Sequence, residues 1–397
     1  MNQKSSRHQG LAAAPQAALL GALIAGVLAL WHGDAAAAGI SNDQALRIYN
    51  RVAGIPASPS ALTQMTAAGD PVSAALIATN DPSFYNNTVR NLAAAWTNRA
   101  QSVFVPLNDY TATVVGMVRD NVPFNQLLSA DLVYVANASL GTPAYSIANN
   151  DMYQAMDDNN MDLGQGLVAS KQSTVTGLPS AAVAGVLTTR GAASAFFING
   201  TNRAMFRFTM MNHLCSDLGT IMDTTRPPDR IRQDVTRSPG GDSSLFLNNC
   251  IGCHSGMDPM AQAFAYYNFD PTAMQIVYTA GQVQPKYHIN ATNFPQGFST
   301  PDDSWTNRWR AGPNAVLGWS PNLPGSGNGA NSLGVELGNS AAFANCQVTR
   351  VFKYVCLRSP STSADNSQIT AMIASFQAHA YSLRQVFAES AAYCMGN

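Results

Sequence analysis

A mainly α, multi-helix architecture with long irregular loops and two or three helical subdomains is predicted by three observations on this 397-residue sequence. Apolar residues recur three and four apart near both ends of the chain, as in Phe84, Tyr85, Val89, Leu92, Ala93 and Trp96, and again in Ile369, Met372, Ile373, Phe376, Ala380, Leu383 and Phe387. Asp-Pro pairs at Asp70-Pro71 and Asp81-Pro82 supply a capping carboxylate followed by a proline at the first helical position. No stretch shows the sustained period-2 alternation of a half-buried strand. With 46% hydrophobic and 11% charged residues the chain has the apolar content to fold. Its 22 basic and 23 acidic residues leave a formal net charge of -1, and Lys4, Lys171, Lys286 and Lys353 are its only lysines. No basic face of the kind that binds nucleic acid is present, so that class is excluded.

Taken in order, residues 1–38 read as a secretory signal peptide. Lys4 and Arg7 precede an apolar run from Ala17 to Trp31, and Ala36 and Ala38 fit the small residues before a cleavage point. An uncleaved N-terminal anchor is the competing reading. No later stretch is long and apolar enough to span a bilayer, so no stable membrane insertion is expected after cleavage, and the location is periplasmic or secreted. An N-terminal helical domain follows over 39–140, with further helix expected around Val114–Val118 and around Leu127, Leu128, Leu132 and Val133. Residues 141–180 lack periodicity and read as a long loop.

The 181–280 region is a second helical domain, rich in Phe and Met of core size. Residues 281–338 are rich in Gly, Pro and Asn, with Trp305, Trp309 and Trp319 close together, and read as a functional or shielding loop region. A C-terminal helical domain over 339–397 closes the chain, with Asp365 or Ser363 as a helix cap.

The chemistry concentrates at Cys250-Ile251-Gly252-Cys253-His254. On a helical turn, residues three and four apart share a side. Two thiols so placed can form thioethers with the vinyl groups of one haem, and the following imidazole can reach the iron. A thioredoxin-like disulfide lacks its strand–helix context here, and a zinc site lacks a second pair of ligands. The expectation is one covalent haem c on Cys250 and Cys253, with His254 as proximal iron ligand.

For the opposite axial position, His288 is the preferred distal candidate. His213, His379, Met205, Met210 and Met274 are alternatives. The segment from Thr224 to Ser243 holds Arg226, Arg230, Arg232 and Arg237, suited either to haem propionates or to Arg–Asp pairing within a loop. Met257-Asp258-Pro259 reads as a helix restart with Asp258 as cap, and Met260, Phe264, Tyr266, Tyr267 and Phe269 as an apolar pocket wall. Cys215, Cys346, Cys356 and Cys394 remain, an even number that favours two disulfides in an oxidising compartment; their three connectivities stay open.

Several of these residues resemble a known family. Thr189-Arg190-Gly191, Leu214-Cys215, Pro227-Pro228, Thr236-Arg237 and Cys250-x-x-Cys253-His254-x-x-Met257-Asp258-Pro259 are similar to the haem-bearing domain of the planctomycete-type cytochrome c family. Pro123-Phe124-Asn125-Gln126-Leu127-Leu128 and Asp131–Val135 look like the helical domain before it. Phe343-Ala344-x-Cys346 and Ser382–Phe387 resemble its small C-terminal domain. The resemblance implies an exported monohaem protein. Met260-Ala261 stands where the family has Gly after Asp-Pro.

Electron transfer with a redox partner protein is the leading functional expectation, because it requires little beyond the haem itself. The alternatives are a haem enzyme, a peroxidase or oxygenase with an open distal site, and a structural or surface protein stabilised by haem. No nucleophile triad or phosphate loop accompanies the motif.

Overall fold

Helix capping organises the first and last helices of the computed structural model, which describes residues 39–198 and 200–396. Residues 1–38, the expected leader, lie outside the described residues. Ser41 and Gln44 form a reciprocal capping box on the helix Asn42–Val52. Ser58 caps Pro59–Thr66 and Asp70 caps Pro71–Ala78, each with proline in the first turn where no amide hydrogen is needed. Thr362 caps the helix Ser363–Ala378, and Asp365 completes the box from the third helical position. Asp365 and Ser363 are therefore not the cap itself, because the threonine hydroxyl before them takes that role.

The first described helices pack on the last one. Leu383–Cys394 lies against both Pro71–Ala78 and Ala341–Cys356. Arg384 Nε donates to Thr79 Oγ1 at 2.6 Å, Arg47 Nη1 to the Met395 carbonyl at 2.6 Å and Arg51 Nη1 to the Val355 carbonyl at 2.8 Å. Disulfides fix the remaining connections. Cys356–Cys394 joins the last residues of two C-terminal helices, and Cys215–Cys346 ties the loop after the helix Arg203–His213 to Ala341–Cys356. They close 131- and 38-residue separations, restricting the unfolded chain by about 2–4 kcal/mol each.

At the centre lies the helix Asp109–Arg119, buried over Asp109–Val118. The Asp109 carboxylate accepts the Arg190 and Gly191 amide hydrogens at 2.7 and 2.9 Å, which seats the helix Arg190–Phe196 on it. Where the sequence suggested helix around Leu127 to Val133, the chain instead makes a tight turn at Phe124–Gln126 and then a strand, Val133–Ala136. The strand pairs antiparallel with Leu167–Ser170. Two further ribbons pair Tyr267–Asp270 with Gln275–Tyr278 and Ser304–Thr306 with Ser326–Asn328. Strands of three or four residues are too short to show alternation in the sequence.

Two loop expectations are corrected for related reasons. The 141–180 segment contains the short helices Asp151–Asp158, Leu163–Gly166 and Gln172–Thr176, none long enough to display a period. The 281–338 segment ends in the helix Gly329–Gly338, disguised by glycines with poor helix propensity. Two of those glycines are required by close backbone approach. A Cβ on Gly334 would lie 1.8 Å from the Leu128 carbonyl oxygen, and one on Gly338 would lie 2.2 Å from that of Asn125.

The described residues from Gly39 onward form one compact unit with a main core that runs through all these segments. A small satellite core of Ile231, Val235, Phe246 and Ile251 packs beside Cys250. Among the described residues no helix is long and apolar enough to cross a membrane. His213 is fully buried between Trp96, Tyr110 and Phe343, with Nε2 2.6 Å from the Tyr110 hydroxyl.

Two outcomes follow from this packing. Peptide mapping of the denatured, unreduced protein should recover Cys356 linked to Cys394 and Cys215 linked to Cys346; any other pairing would contradict the fold. Burial, followed by the nearby Arg350 charge, pushes the His213 pKa down to about 3. The unfolded state therefore binds the extra proton below its ordinary pKa of about 6.5, and stability falls as pH drops from there towards 3. The slope is at most about 1.4 kcal/mol per pH unit. Denaturant titrations should show this loss in the wild type and a shallower pH dependence in His213→Gln.

Candidate functional site

One helical run carries the motif. Asp242 accepts the Ser244 amide hydrogen at 2.8 Å and starts a turn at Ser243–Leu245, which widens into a π-helical turn at Phe246–Cys250 and continues as the helix Ile251–Ala261. Cys250, Cys253 and His254 share one side of this run by their spacing of three and four. Gly252 and Gly256, also four apart, occupy another side, where the absence of side chains lets neighbours press on the backbone. A Cβ on Gly252 would lie 3.1 Å from Met222 Cβ, and one on Gly256 would lie 2.0 Å from Trp309 Nε1. Trp309 is fully buried, its amide hydrogen bonds to Asn307 Oδ1 at 3.0 Å, and its carbonyl accepts from Trp319 Nε1 at 2.8 Å. The tryptophan cluster thus buttresses the motif helix from the core.

Cys250 and Cys253 are half-buried and unpaired, whereas the other four cysteines are all in disulfides. Cys253 Sγ lies 3.5 Å from the Leu218 carbonyl, and burial, followed by the Asp217 charge, raises its pKa. The Cys253 thiol is therefore a poor spontaneous nucleophile. Leu245 and Leu247, just before the motif, are exposed apolar side chains.

His254 Nδ1 lies 3.1 Å from Asp258 Oδ1. Asp258 is buried, and its carboxylate receives Arg203 through both oxygens, Nε to Oδ1 at 2.7 Å and Nη2 to Oδ2 at 2.8 Å. The Arg232 amide reaches Oδ2 at 3.3 Å, and its guanidinium lies 3.6 Å from Oδ1. Arg203 is shared with Asp234, at 2.5 and 2.9 Å. Burial alone would raise the Asp258 pKa, but the Arg203 and Arg232 charges overrule it and hold the carboxyl well below the usual range. An ionised carboxylate only accepts, so Nδ1 of His254 donates to Asp258, and Nε2 is the ring nitrogen that the carboxylate does not engage.

Asp258 is thus not the cap of a new helix, as Asp-Pro suggested. The helix runs unbroken through Pro259, and the carboxylate turns inward to His254, the Arg203 and Arg232 side chains and the Arg232 amide instead of to the amides of the turn that follows it. The sequence carried a usable signal, since His254 and Asp258 are four apart and must share a helix face. Arg203 and Arg232 carried no such signal, because only the tertiary fold brings them to Asp258.

The other candidates are dispersed. His288 is exposed at the end of the turn Pro285–His288, and among the described residues no hydrogen bond or ring contact joins it to the motif. The turn is anchored on both sides of its middle. Lys286 Nζ donates to the Phe197 carbonyl, Asn202 Oδ1 and Asn268 Oδ1 at 2.6–2.8 Å, and Tyr287 is buried with the Arg232 guanidinium 4.7 Å above its ring.

His213 belongs to the core, His379 bonds its own helix end through Nδ1 to the Ser375 carbonyl at 2.9 Å, Met205 and Met210 are buried, and Met274 is exposed. The arginines of the 224–243 segment all have protein partners. Arg226 pairs with Asp223, Arg230 donates to Gln262 and covers Phe298, and Arg237 covers Phe246. Met260, Phe264, Tyr267 and Phe269 pack in the main core.

Among the described residues no group of three or more His, Cys, Asp or Glu side chains is arranged to hold a metal ion by itself. Cys250, Cys253 and His254, two unpaired thiols and an imidazole on one helical run, are the residues that could hold a covalently attached cofactor. No family model, curated protein or solved structure matches this chain.

The Gly256 contact sets a clear expectation for stability. Gly256→Ala places a methyl group inside the Trp309 indole, so overpacking should cost about 1–3 kcal/mol. Thermal unfolding of this variant should show a lowered Tm, whereas an unchanged Tm would mean that Trp309 does not press on the helix.

Proposed function

We propose that this chain is an exported monohaem c-type cytochrome that transfers electrons to or from a redox partner protein. The observation that carries the reading is the pair of unpaired thiols at Cys250 and Cys253, one helical turn apart beside His254, in a chain whose other cysteines are all oxidised. In this reading both thiols bond one haem, and His254 binds its iron through Nε2. When bound, the haem supplies reversible one-electron chemistry. Asp258 holds the imidazole ring, Trp309 and Met222 hold the helix that carries it, and Leu245 and Leu247 offer apolar cover. His288 is the distal candidate. The resemblance to the planctomycete-type cytochrome c family supports the same reading, and the two disulfides support export to an oxidising compartment, with residues 1–38 as the leader.

Acid–acetone extraction of protein exported from cells that attach haem c should leave the colour on the chain, and a pyridine haemochrome spectrum should show one haem per chain. Cys250→Ala or Cys253→Ala should lower the yield of coloured protein. Haem released into the solvent from wild type would overturn the proposal. The reduced protein should also keep its spectrum under carbon monoxide, because a carrier needs no open position; rapid carbon monoxide binding would favour the haem-enzyme alternative.

A further inference from the structure

We propose that Asp258 is the positioning residue for the axial histidine, and that Asp258 and Arg203 act in opposition to set the haem's reduction potential. The inference rests on the haem reading above and concerns residues outside the Cys250-to-His254 motif.

The geometry has three parts. The Nδ1-to-Oδ1 contact of 3.1 Å joins two residues of the same helix, so the ring's direction is fixed by local geometry instead of by a mobile loop. The helix itself is held by Met222 against Gly252 and by Trp309 against Gly256. The acceptor is a buried anion clamped through both oxygens by Arg203. A carboxylate beyond a ligating imidazole fixes its tautomer and raises its basicity as a metal ligand. A more basic ligand and a nearby negative charge both favour the more positive, oxidised iron, so Asp258 lowers the potential. Arg203 draws electron density from the same carboxylate and works in the opposite sense. Because Arg203 is shared with Asp234, its pull on Asp258 is partial, and the potential is set by the balance.

A residue that serves only to hold the fold would change stability but would give no ordered set of potentials. Spectroelectrochemical titration of the holoprotein, with one haem per chain verified for each variant, distinguishes the two. Asp258→Asn is expected to raise the potential by about 59 mV, a tenfold change in the ratio of reduced to oxidised protein at fixed potential. Arg203→Gln is expected to lower it. Asp234→Asn removes an equal charge from Arg203 without touching His254, and is expected to shift the potential less than Asp258→Asn. Asp258→Glu, which retains the carboxylate, should return it towards wild type.

Equal shifts for Asp258→Asn and Asp234→Asn would overturn the positioning role, as would shifts of the same sign for Asp258→Asn and Arg203→Gln. If Asp258→Asn does not accumulate, the Arg203→Gln arm decides: a fall supports the proposal, and no change or a rise overturns it. Failure of the haem reading is separately visible, because the wild type would then carry no covalent haem to titrate.

Discussion

The arrangement around the motif depends on the close approach of Trp309 to the backbone at Gly256. Any side chain at that position would collide with the indole, so the glycine is what allows the helix Ile251–Ala261 to lie against the core. With one side of the helix held there and at Gly252, its other side presents Cys250, Cys253 and His254 in a fixed order. The same seating brings Asp258 to Arg203 and Arg232, where a buried carboxylate is tolerated because its charge is paired and its oxygens are hydrogen-bonded. Packing and electrostatics therefore act on a single element: the core fixes where the helix lies, and the arginines fix the ionisation of the residue that holds the histidine.

The elements around that helix come from distant parts of the chain. Trp309 and Tyr287 arrive from the long segment after the motif, Arg203 from the helix before it, and Arg232 from the intervening loop. Two disulfides and the packing of the C-terminal helices on the first described ones tie distant segments of the chain together. Much of the irregular structure's polarity is paired across the fold, although Arg230 Nε, Arg232 Nε and Nη1 and Gln233 Oε1 are buried without a hydrogen-bond partner. Lys286, for example, finds three oxygen acceptors, and the arginines of the 224–243 segment find carboxylates, carbonyls and aromatic faces.

The sequence is most legible where local physics decides the outcome. The Asp70-Pro71 start, the stripe of Ile369, Met372 and Phe376, and the mainly helical class all follow from capping and periodicity, and the structure bears them out. The Cys250, Cys253 and His254 spacing was likewise readable, because three and four residues along a helix place them together. Legibility ends where tertiary contact overrides local preference. Gly329–Gly338 looks like a loop because its glycines answer to the carbonyls of Asn125 and Leu128, not to helix propensity. Asp258 looks like a cap because Asp-Pro usually is one, yet Arg203 and Arg232, distant in sequence, turn it into an internal anion. The disulfide pairing is set by tertiary contact, because the Ala341–Cys356 helix carries one cysteine of each pair.

The haem reading requires that Cys250 and Cys253 together hold one haem. Mass spectrometry of the tryptic peptide spanning residues 238–286, prepared from exported protein without reduction, tests it most directly. The account predicts that this peptide carries the mass of one haem and that fragmentation places it on both cysteines. An unmodified peptide, with both thiols free or joined to each other, would contradict it.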